Sequence, residues 1–315
     1  MGASHVLQEF WAQFLAVTEE AAIAALPLCG RGDKNAADQA AVDGMHRAFA
    51  RAPLSVRVAI GEGEMDEAPM LYIGEELGAG GPACDIAVDP LEGTSLTAQA
   101  QPGAMTVLAA GPRDSLLHAP DMYMEKFCAG PAARGAVDPE APLAENLRLL
   151  AKALGKPKHA LRVALLDRPR HQEILSTLRA AGAAVRLLTA GDVGPAVATC
   201  LPDGDIDLLI GTGGAPEGVI TAVAVRSLGG EFWCRLRPEN EEEMQRAREM
   251  LGGVPDRLML LHDVVKSDDL VFAATSVTDS VAGPGPESRS DGSYIHSLVV
   301  AAGTLRRIRR FAPSN

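Results

Sequence analysis

The sequence has few aromatic residues, no excess of basic residues and no long apolar run. Phe, Trp and Tyr make up 4% of the 315 residues, so the core is expected to consist mainly of Ala, Val, Leu and Ile. Apolar residues nevertheless account for 47%, which supports a large folded core and argues against a disordered chain. The net charge of −12 argues against general binding to nucleic acid, which requires a basic surface.

Signals for secretion and for membrane insertion are also missing. No apolar run approaches the ~18 residues of a membrane span, and the N-terminal segment lacks the basic and apolar regions of a signal peptide. The five cysteines include no C-x-x-C pair and lack the spacing of a disulfide framework. We therefore expect a cytoplasmic enzyme with reduced thiols and no membrane partner.

Hydrophobic periodicity predicts an α/β protein with short strands and amphipathic helices throughout the chain. One of the predicted helices covers Pro69 to Leu77. Beyond residue 155 strands and helices alternate, which predicts a largely parallel sheet in the second half. The segment Gly155-Lys156-Pro157 is the expected boundary between two domains, residues 1–155 and residues 156–315.

Acidic residues are concentrated between Ile60 and Ser95, in segments predicted to be strand ends and tight turns. Two carboxylates about 4 Å apart repel by roughly 4 kcal/mol at an effective dielectric near 20, so several converge only where protons or cations offset the repulsion. Hard divalent cations such as Mg²⁺ bind carboxylate oxygens, often together with substrate phosphates. The segment therefore predicts a metal-dependent site that acts on a phosphate compound.

The clearest pair of acids in this segment is Asp89, at the end of a predicted strand, and Glu92, after a turn fixed by proline. Gly93 allows the backbone to approach a ligand, and the N–H groups from Thr94 onward suit a phosphate oxygen. Two carboxylates on one rigid turn suit two neighbouring cations. The alternative is an N-capped turn with incidental acids.

A second acidic loop runs from Gly61 to Pro69. Glu62 and Glu64 alternate and project to different sides, so only one of them is expected to reach a metal, and Asp66 is placed to hold or deprotonate a water. The alternative is a solvated acidic loop. Earlier in the chain Asp38 stands alone near a helix start, which by itself favours a helix cap over a metal ligand.

Two features of the second half suit phosphate. Gly211 to Gly218 joins a predicted strand to a helix, with Glu217 as a further carboxylate for a metal, and Arg168 and Arg170 follow a strand end where they can make bidentate phosphate contacts. Ordinary surface charge is the alternative for the arginines. The basic segment Leu305 to Phe311 alternates as a strand does, which favours a charged edge strand over a membrane or nucleic-acid contact.

Six motifs in this order resemble class II fructose-1,6-bisphosphatases: G-R-G-D-K-N-x-A-D, I-G-E-G-E-M-D-E-A-P, D-I-A-V-D-P-L-E-G-T, A-P-D-M-Y-M-E-K, R-P-R-H and G-x-G-G-A-P-E-G. The similarity is strong over about residues 5–230 and looser beyond. The family belongs to the lithium-sensitive, metal-dependent sugar phosphatases. The resemblance therefore implies an α/β fold, a layered α/β/α/β/α sandwich with two sheets, with metal binding in residues 1–155 and substrate binding in residues 156–315.

The resemblance also implies an activity. It is hydrolysis of the 1-phosphate of fructose 1,6-bisphosphate to fructose 6-phosphate and phosphate, dependent on Mg²⁺ or Mn²⁺, in gluconeogenesis. Sedoheptulose 1,7-bisphosphatase activity, a dual activity and an inositol phosphate substrate stay open. So does a catalytically silent protein that binds metal or sugar phosphate, because the C-terminal third departs from the family pattern. A homo-oligomer, dimer or tetramer, is implied as well.

Residue by residue, the resemblance implies three sets of functional side chains. The implied metal ligands are Asp38, Glu62, Asp89, Glu92 and Glu217. The implied catalytic residues are Thr94, which would hold or help to activate the attacking water, and Asp66 and Lys34, which would support it. The implied substrate contacts are Glu92, Gly93, Thr94, Tyr123, Arg168, Arg170, Asp192 and Gly214.

Overall fold

The computed structural model describes residues 6–61 and 71–313, which form two compact units. The first unit comprises Met1–Asp121 and Lys266–Asn315, and the second comprises Met122–Val265. The described residues contain nine α-helices and two mixed sheets, so the predicted α/β class with two sheets is confirmed. No described helix has the length and apolar character needed to cross a membrane.

The helices and strands have the following bounds. The helices are α1 (Trp11–Ala25), α2 (Lys34–Phe49), α3 (Thr94–Ala98), α4 (Leu143–Ala153), α5 (Gln172–Ala180), α6 (Val193–Ala198), α7 (Ala215–Leu228), α8 (Glu241–Leu251) and α9 (Leu261–Val264). The strands are β1 (Ser55–Ile60), β2 (Glu76–Leu77), β3 (Ala83–Glu92), β4 (Met105–Pro112), β5 (Tyr123–Ala129), β6 (Arg162–Leu166), β7 (Ala184–Leu188), β8 (Leu208–Gly214), β9 (Glu231–Leu236), β10 (Met259–Leu260), β11 (Val271–Ser276), β12 (Glu287–Arg289), β13 (Gly292–Ala301) and β14 (Thr304–Pro313).

The first unit is built on an eight-stranded sheet in the order β12-β13-β11-β4-β3-β1-β2, with β14 paired to β13. β3 lies in the middle, parallel to β1 and antiparallel to β4. α1 packs against β11 and β4, and α2 packs against β3. The two helices approach closely because Gly44 of α2 lies against the backbone of Ala21, where a Cβ would come within 2.8 Å of Ala21 Cα. This close packing of α1 on α2 helps to hold α2 against β3.

The second unit contains a six-stranded sheet in the order β10-β9-β5-β8-β6-β7. Only the pairs β6–β7 and β6–β8 are parallel, while β5–β8, β5–β9 and β9–β10 are antiparallel. The prediction of a largely parallel sheet is therefore wrong for half of it. The strands β7, β6 and β8 are parallel because helices connect them. β5 precedes residue 155 in the sequence and lies between β8 and β9 in the sheet, antiparallel to both.

Two further expectations differ from the structure. The predicted boundary near residue 155 does not coincide with a limit of either unit, because β5 and α4 belong to the second unit and the strands after residue 270 belong to the first sheet. The predicted helix from Pro69 to Leu77 is wrong for residues 71–77, which carry no helix and end in β2. Gly74 has a φ of 90°, a left-handed conformation that interrupts a helix.

Candidate functional site

A β-bulge at the end of β3 places Asp89 and Glu92 on the same face of the first sheet. Asp89 pairs with Val107 and Glu92 with Met105, so three steps along β3 match two steps along β4. In a regular strand, residues three apart point to opposite faces. The extra residue in β3 cancels this alternation and turns both carboxylates to one side.

This carboxylate pair is almost completely buried. Asp89 is 2% exposed and Glu92 is 4% exposed, and their carboxylate oxygens come within 4.8 Å of one another. Asp89 Oδ1 also accepts a hydrogen bond of 2.9 Å from the Leu91 N–H, which fixes its orientation within the bulge. Two buried carboxylates at this separation repel strongly, so the position is suited to a cation.

Asp38, on the helix that packs against β3, adds a third carboxylate to the first unit. Its Oδ1 is buried and has no hydrogen-bond partner among the described residues, and burial raises the pKa of its carboxyl group above the ordinary value. The role of helix cap belongs instead to Asp33, whose carboxylate accepts a hydrogen bond of 3.0 Å from the Ala36 N–H. The capping interpretation of Asp38 is therefore wrong, and its buried oxygen is open to a ligand.

The segment before α2 is tied to α3. Gly30 N–H donates to Thr97 O and Gly32 N–H donates to Ala98 O, each at 2.9 Å. These bonds hold the start of α2, where Lys34 is exposed, beside the short helix that begins at Thr94. Gly93, between the bulge and Thr94, has a φ of 83°, which explains glycine at this position.

The described carboxylates of the first unit fit a hard divalent cation. Oxygen donors are the ligands that Mg²⁺ and Mn²⁺ prefer, and Asp38, Asp89 and Glu92 supply them from buried or half-buried positions. The unpaired oxygen of Asp38 is the observation that tests the fit, because a buried polar atom without a partner is costly unless a ligand satisfies it. Glu62 and Asp66 lie outside the described residues.

A second acidic cluster in the first unit, Asp85 with Asp114 and His118, is a structural ion-pair network. Arg57 donates two hydrogen bonds to the fully buried Asp85, Nε to Oδ1 at 2.8 Å and Nη2 to Oδ2 at 2.7 Å. Burial raises the pKa of Asp85, but hydrogen bonds from His118, Arg57 and the Asp114 N–H outweigh it and leave this pKa below the ordinary value. The arginine already supplies the positive charge that a metal would bring.

In the second unit, three predicted substrate contacts are grouped around the ends of β5 and β8. Tyr123 pairs with Gly214 across the two strands. The guanidinium of Arg170 lies 4.4 Å from the centre of the Tyr123 ring, and its Nη2 donates a hydrogen bond of 2.8 Å to Thr212 O. Arg168 donates instead to the carbonyls of Asp167 and Thr189, each at 2.9 Å. Arg170 is thus held on an aromatic face, whereas Arg168 links the loop after β6 to the residue that follows β7.

The segment Gly211–Gly218 joins a strand to a helix, as predicted, but without a separate loop. β8 continues through Gly214 and α7 begins at the next residue. A Cβ at Gly214 would overlap the carboxylate of Glu217 in the first turn of α7, so the position of that side chain depends on glycine here. Glu217, half-buried, therefore lies directly over the end of β8.

Asp192, a predicted substrate contact, is buried against a lysine that the sequence analysis did not single out. Lys126 Nζ lies 2.6 Å from Asp192 Oδ2 and donates a hydrogen bond of 3.2 Å to Gly214 O. The signal in the sequence is a lysine inside an apolar strand, between Met124 and Phe127, where a charged side chain needs a buried partner.

His171 connects the loop after β6 to β8. Its Nδ1 lies 2.8 Å from Leu166 O and its Nε2 accepts a hydrogen bond of 2.8 Å from the Thr212 N–H. A carbonyl on one side and an N–H donor on the other fit only the neutral ring protonated at Nδ1. Burial lowers the pKa of His171 below its ordinary value, which agrees with this arrangement.

Comparison with known proteins identifies the family of the chain. A protein-family profile described as "Bacterial fructose-1,6-bisphosphatase, glpX-encoded" matches residues 8–312. This chain belongs to the class II fructose-1,6-bisphosphatase family. The family predicted from the motifs is therefore confirmed, and with it the enzyme class, a phosphoric monoester hydrolase.

Curated relatives cover nearly the whole chain. "Fructose-1,6-bisphosphatase 1 class 2" of Escherichia coli K12 is 43% identical over 316 residues, 96% of this chain and 94% of the relative. "Fructose-1,6-bisphosphatase class 2" of Haemophilus influenzae is 43% identical over 95% of this chain and 93% of its own length. "Fructose-1,6-bisphosphatase 2 class 2" of E. coli K12 is 44% identical over 90% of this chain and 92% of its own length. A solved structure, an extragenic suppressor from Pyrococcus furiosus, matches at a TM-score of 0.32 with 14% identity over 60% of this chain and 70% of that one, too low to support an argument.

Proposed function

We propose that this protein hydrolyses the 1-phosphate of fructose 1,6-bisphosphate to fructose 6-phosphate and phosphate, with Mg²⁺ or Mn²⁺ bound by its buried carboxylates. Family membership supports the substrate. The observation that carries the chemistry is the β-bulge that turns Asp89 and Glu92 to one face, nearly buried and within 4.8 Å of one another. A proton or a cation is needed to offset the repulsion of such a pair, and a divalent cation does so without neutralising either carboxylate.

In the first unit, Asp38, Asp89 and Glu92 would hold the cation. Glu62 is proposed as a further ligand because β1 runs parallel to β3 and Ile60 pairs with Ala87, so the chain leaves β1 at the edge where Asp89 lies. A bound divalent cation offsets the charge of the phosphate and lowers the pKa of a coordinated water.

Thr94, directly after the bulge, is proposed to orient the attacking water through its hydroxyl. Lys34, held beside α3 by the hydrogen bonds of the preceding loop, is proposed to support it, as is Asp66. These roles rest on the match to the family motifs. Positioning of a water against a bound phosphate supplies a large part of the acceleration in phosphoryl transfer.

In the second unit, Tyr123, Arg170 and Gly214 are proposed to contact the sugar phosphate. The guanidinium of Arg170 is fixed by the Tyr123 ring and by Thr212 O, and a planar cation held in one orientation suits a phosphate. Arg168 and Asp192 are proposed for the same task, and Glu217 is proposed as the fifth metal ligand. Each of these assignments is testable by single substitution.

The test is phosphate release by the purified, metal-stripped protein after Mg²⁺ or Mn²⁺ is added back. Fructose 1,6-bisphosphate, sedoheptulose 1,7-bisphosphate and inositol 1-phosphate are compared side by side. Metal-dependent release from fructose 1,6-bisphosphate that exceeds release from the other two supports the proposal. Release from sedoheptulose 1,7-bisphosphate alone, or from inositol 1-phosphate alone, contradicts the substrate.

A matched pair of variants separates turnover from binding. Asp89→Asn removes one charge from the bulge and is expected to abolish phosphate release, whereas Asp43→Asn, at an exposed position on α2, is expected to leave it unchanged. Wild-type protein that binds metal and sugar phosphate in a calorimeter but releases no phosphate would establish a silent binding protein instead. Full activity of Asp89→Asn would refute the assignment of the site.

A homo-oligomer, dimer or tetramer, and a cytoplasmic location are proposed from the family resemblance. Light scattering of the purified protein after size-exclusion chromatography gives the mass in solution. A mass equal to the 32.9 kDa of one chain would contradict the oligomer. The location is tested by cell fractionation with an antibody to the chain.

A further inference from the structure

We infer that Lys126 is a positioning residue of the sugar-phosphate site, an inference that rests on the proposed function. Its ammonium group connects Asp192, at the start of α6, to Gly214, at the end of β8. Both of these residues are proposed to contact substrate, whereas Lys126 itself is 1% exposed and does not reach solvent. Lys126 would therefore act through its neighbours.

The contacts of the ammonium group are short and buried. Nζ lies 2.6 Å from Asp192 Oδ2 and 3.2 Å from Gly214 O, and Asp192 is 6% exposed. A charge-assisted bond of this length is strong and directional, particularly where water is excluded. Asp192 occupies the N-cap position of α6, yet its side chain makes no capping hydrogen bond. The carboxylate is committed to Lys126 instead of to its own helix.

The surrounding backbone is shaped to fit this pair. A Cβ at Gly213 would overlap Asp192 Oδ2 and come within 3.0 Å of Lys126 Nζ. A Cβ at Gly218 would overlap Met124 Sδ first and would also come within 3.3 Å of Lys126 Cδ. Gly213 therefore leaves room for the charged head of Lys126, whereas Gly218 mainly accommodates Met124.

Fixing Gly214 also fixes the residues around it. Tyr123, three residues before Lys126 on β5, pairs with Gly214 across the sheet. The carboxylate of Glu217 packs over the Cα of Gly214, since a Cβ there would overlap it. A shift of the β8 end would therefore move a proposed substrate contact and a proposed metal ligand together. Positioned groups are sensitive to such shifts, because a displacement of about 1 Å can cost roughly 10²-fold in rate.

The same unit provides a matched comparison. Lys156 Nζ lies 2.7 Å from Asp207 Oδ1, and Asp207 is also buried, at 8% exposed. Asp207 directly precedes β8, whereas Gly214 ends it, so the two lysine–aspartate pairs lie about 20 Å apart along the strand. Loss of either lysine removes the ion pair of a buried aspartate, although Asp207 keeps a hydrogen bond of 2.9 Å from the Arg162 N–H. Only loss of Lys126 is expected to disturb the proposed site.

The experiment compares Lys126→Met with Lys156→Met in steady-state phosphate release from fructose 1,6-bisphosphate. We expect KM to rise about tenfold or more in Lys126→Met and to stay at the wild-type value in Lys156→Met, with the larger loss of melting temperature in Lys126→Met because Lys126 is the more deeply buried lysine. Calorimetric binding of fructose 6-phosphate is expected to weaken by the same factor. Inactive wild-type protein would refute the proposed function before this comparison begins. An unchanged KM in an otherwise active Lys126→Met would refute the inference alone.

A second comparison tests whether Lys126 positions Gly214 or only neutralises the charge of Asp192. It also replaces the first comparison if Lys126→Met does not fold. Lys126→Met is introduced into an Asp192→Asn background, in which no carboxylate is left buried without a partner. If Lys126 also positions Gly214, KM rises further relative to Asp192→Asn alone. No further rise would mean that the lysine acts only by neutralising Asp192, and the inference would be overturned.

Discussion

Neutralising one carboxylate of the β3 bulge is predicted to abolish activity and to stabilise the metal-free protein. The change is Glu92→Gln, which keeps the size and shape of the side chain. Glu92 and Asp89 are both nearly buried and lie within 4.8 Å of one another. Without a cation the repulsion between the two carboxylates destabilises the folded state, so removing one charge is stabilising. The same substitution removes a ligand charge that the cation needs, so activity is lost.

The separation gives the size of the effect. Two unit charges no more than 4.8 Å apart repel by at least about 3.5 kcal/mol at an effective dielectric near 20. The hydrogen bond from the Leu91 N–H to Asp89 and the remaining polar surroundings of the bulge offset part of this repulsion. We therefore expect a gain of about 1–2 kcal/mol in the free energy of unfolding, which corresponds to about 1.5–3 °C in melting temperature for a chain of 315 residues.

The assay is a pair of thermal melts, one with chelator and one with Mg²⁺ in excess, together with phosphate release. In chelator Glu92→Gln should melt at a higher temperature than the wild type. In Mg²⁺ the melting temperature of the wild type should rise more than that of the variant, because a cation that binds the folded state stabilises it and the variant binds the cation less tightly. Glu9→Gln, at an exposed position, serves as the control with no change in either buffer. A variant that melts below the wild type in chelator, or that remains active, would refute the reasoning.

Two further predictions concern stability. Arg57→Met should lower the free energy of unfolding by about 3 kcal/mol, because it leaves the fully buried Asp85 without its bidentate partner, and an unchanged urea midpoint would contradict this. The folded state holds His171 neutral, with its pKa lowered by burial, so the unfolded chain takes up this proton first as the pH falls. The urea midpoint should therefore decrease below about pH 6.5, and His171→Gln should remove that part of the decrease; an equal slope in the variant would exclude His171 as the cause.

Local sequence signals predicted most of the individual elements. The periodicity predicts a strand at Ala184–Leu188 and a helix at Glu241–Leu251, and β7 and α8 have these limits. The basic alternation of Leu305 to Phe311 lies in a strand, β14, as expected. Hydrophobic spacing carries this information because each element buries one face. The same signals identified the acidic segment around Asp89 and Glu92, and the family motifs identified the enzyme class.

Pairing between distant strands was not predictable in the same way. Periodicity marks β5 as a strand but does not say that it inserts, antiparallel, between β8 and β9. That insertion decides both the mixed sheet and the division of the chain into units. It also decides that Lys126 meets Asp192, since the two residues are 66 positions apart in the sequence. Partners of buried charges follow from tertiary contacts, which a single sequence does not contain.

The bulge in β3 shows how far spacing alone misleads. Asp89 and Glu92 are three residues apart, a separation that in a regular strand sends one side chain to each face. The family motif groups them nonetheless, and the structure supplies the reason: one extra residue, beside Pro90, is absorbed between the pairs with Val107 and Met105. A proline cannot donate to a ladder and is tolerated at such an irregularity. Pro90 therefore lies at the irregularity that allows two carboxylates to share a face.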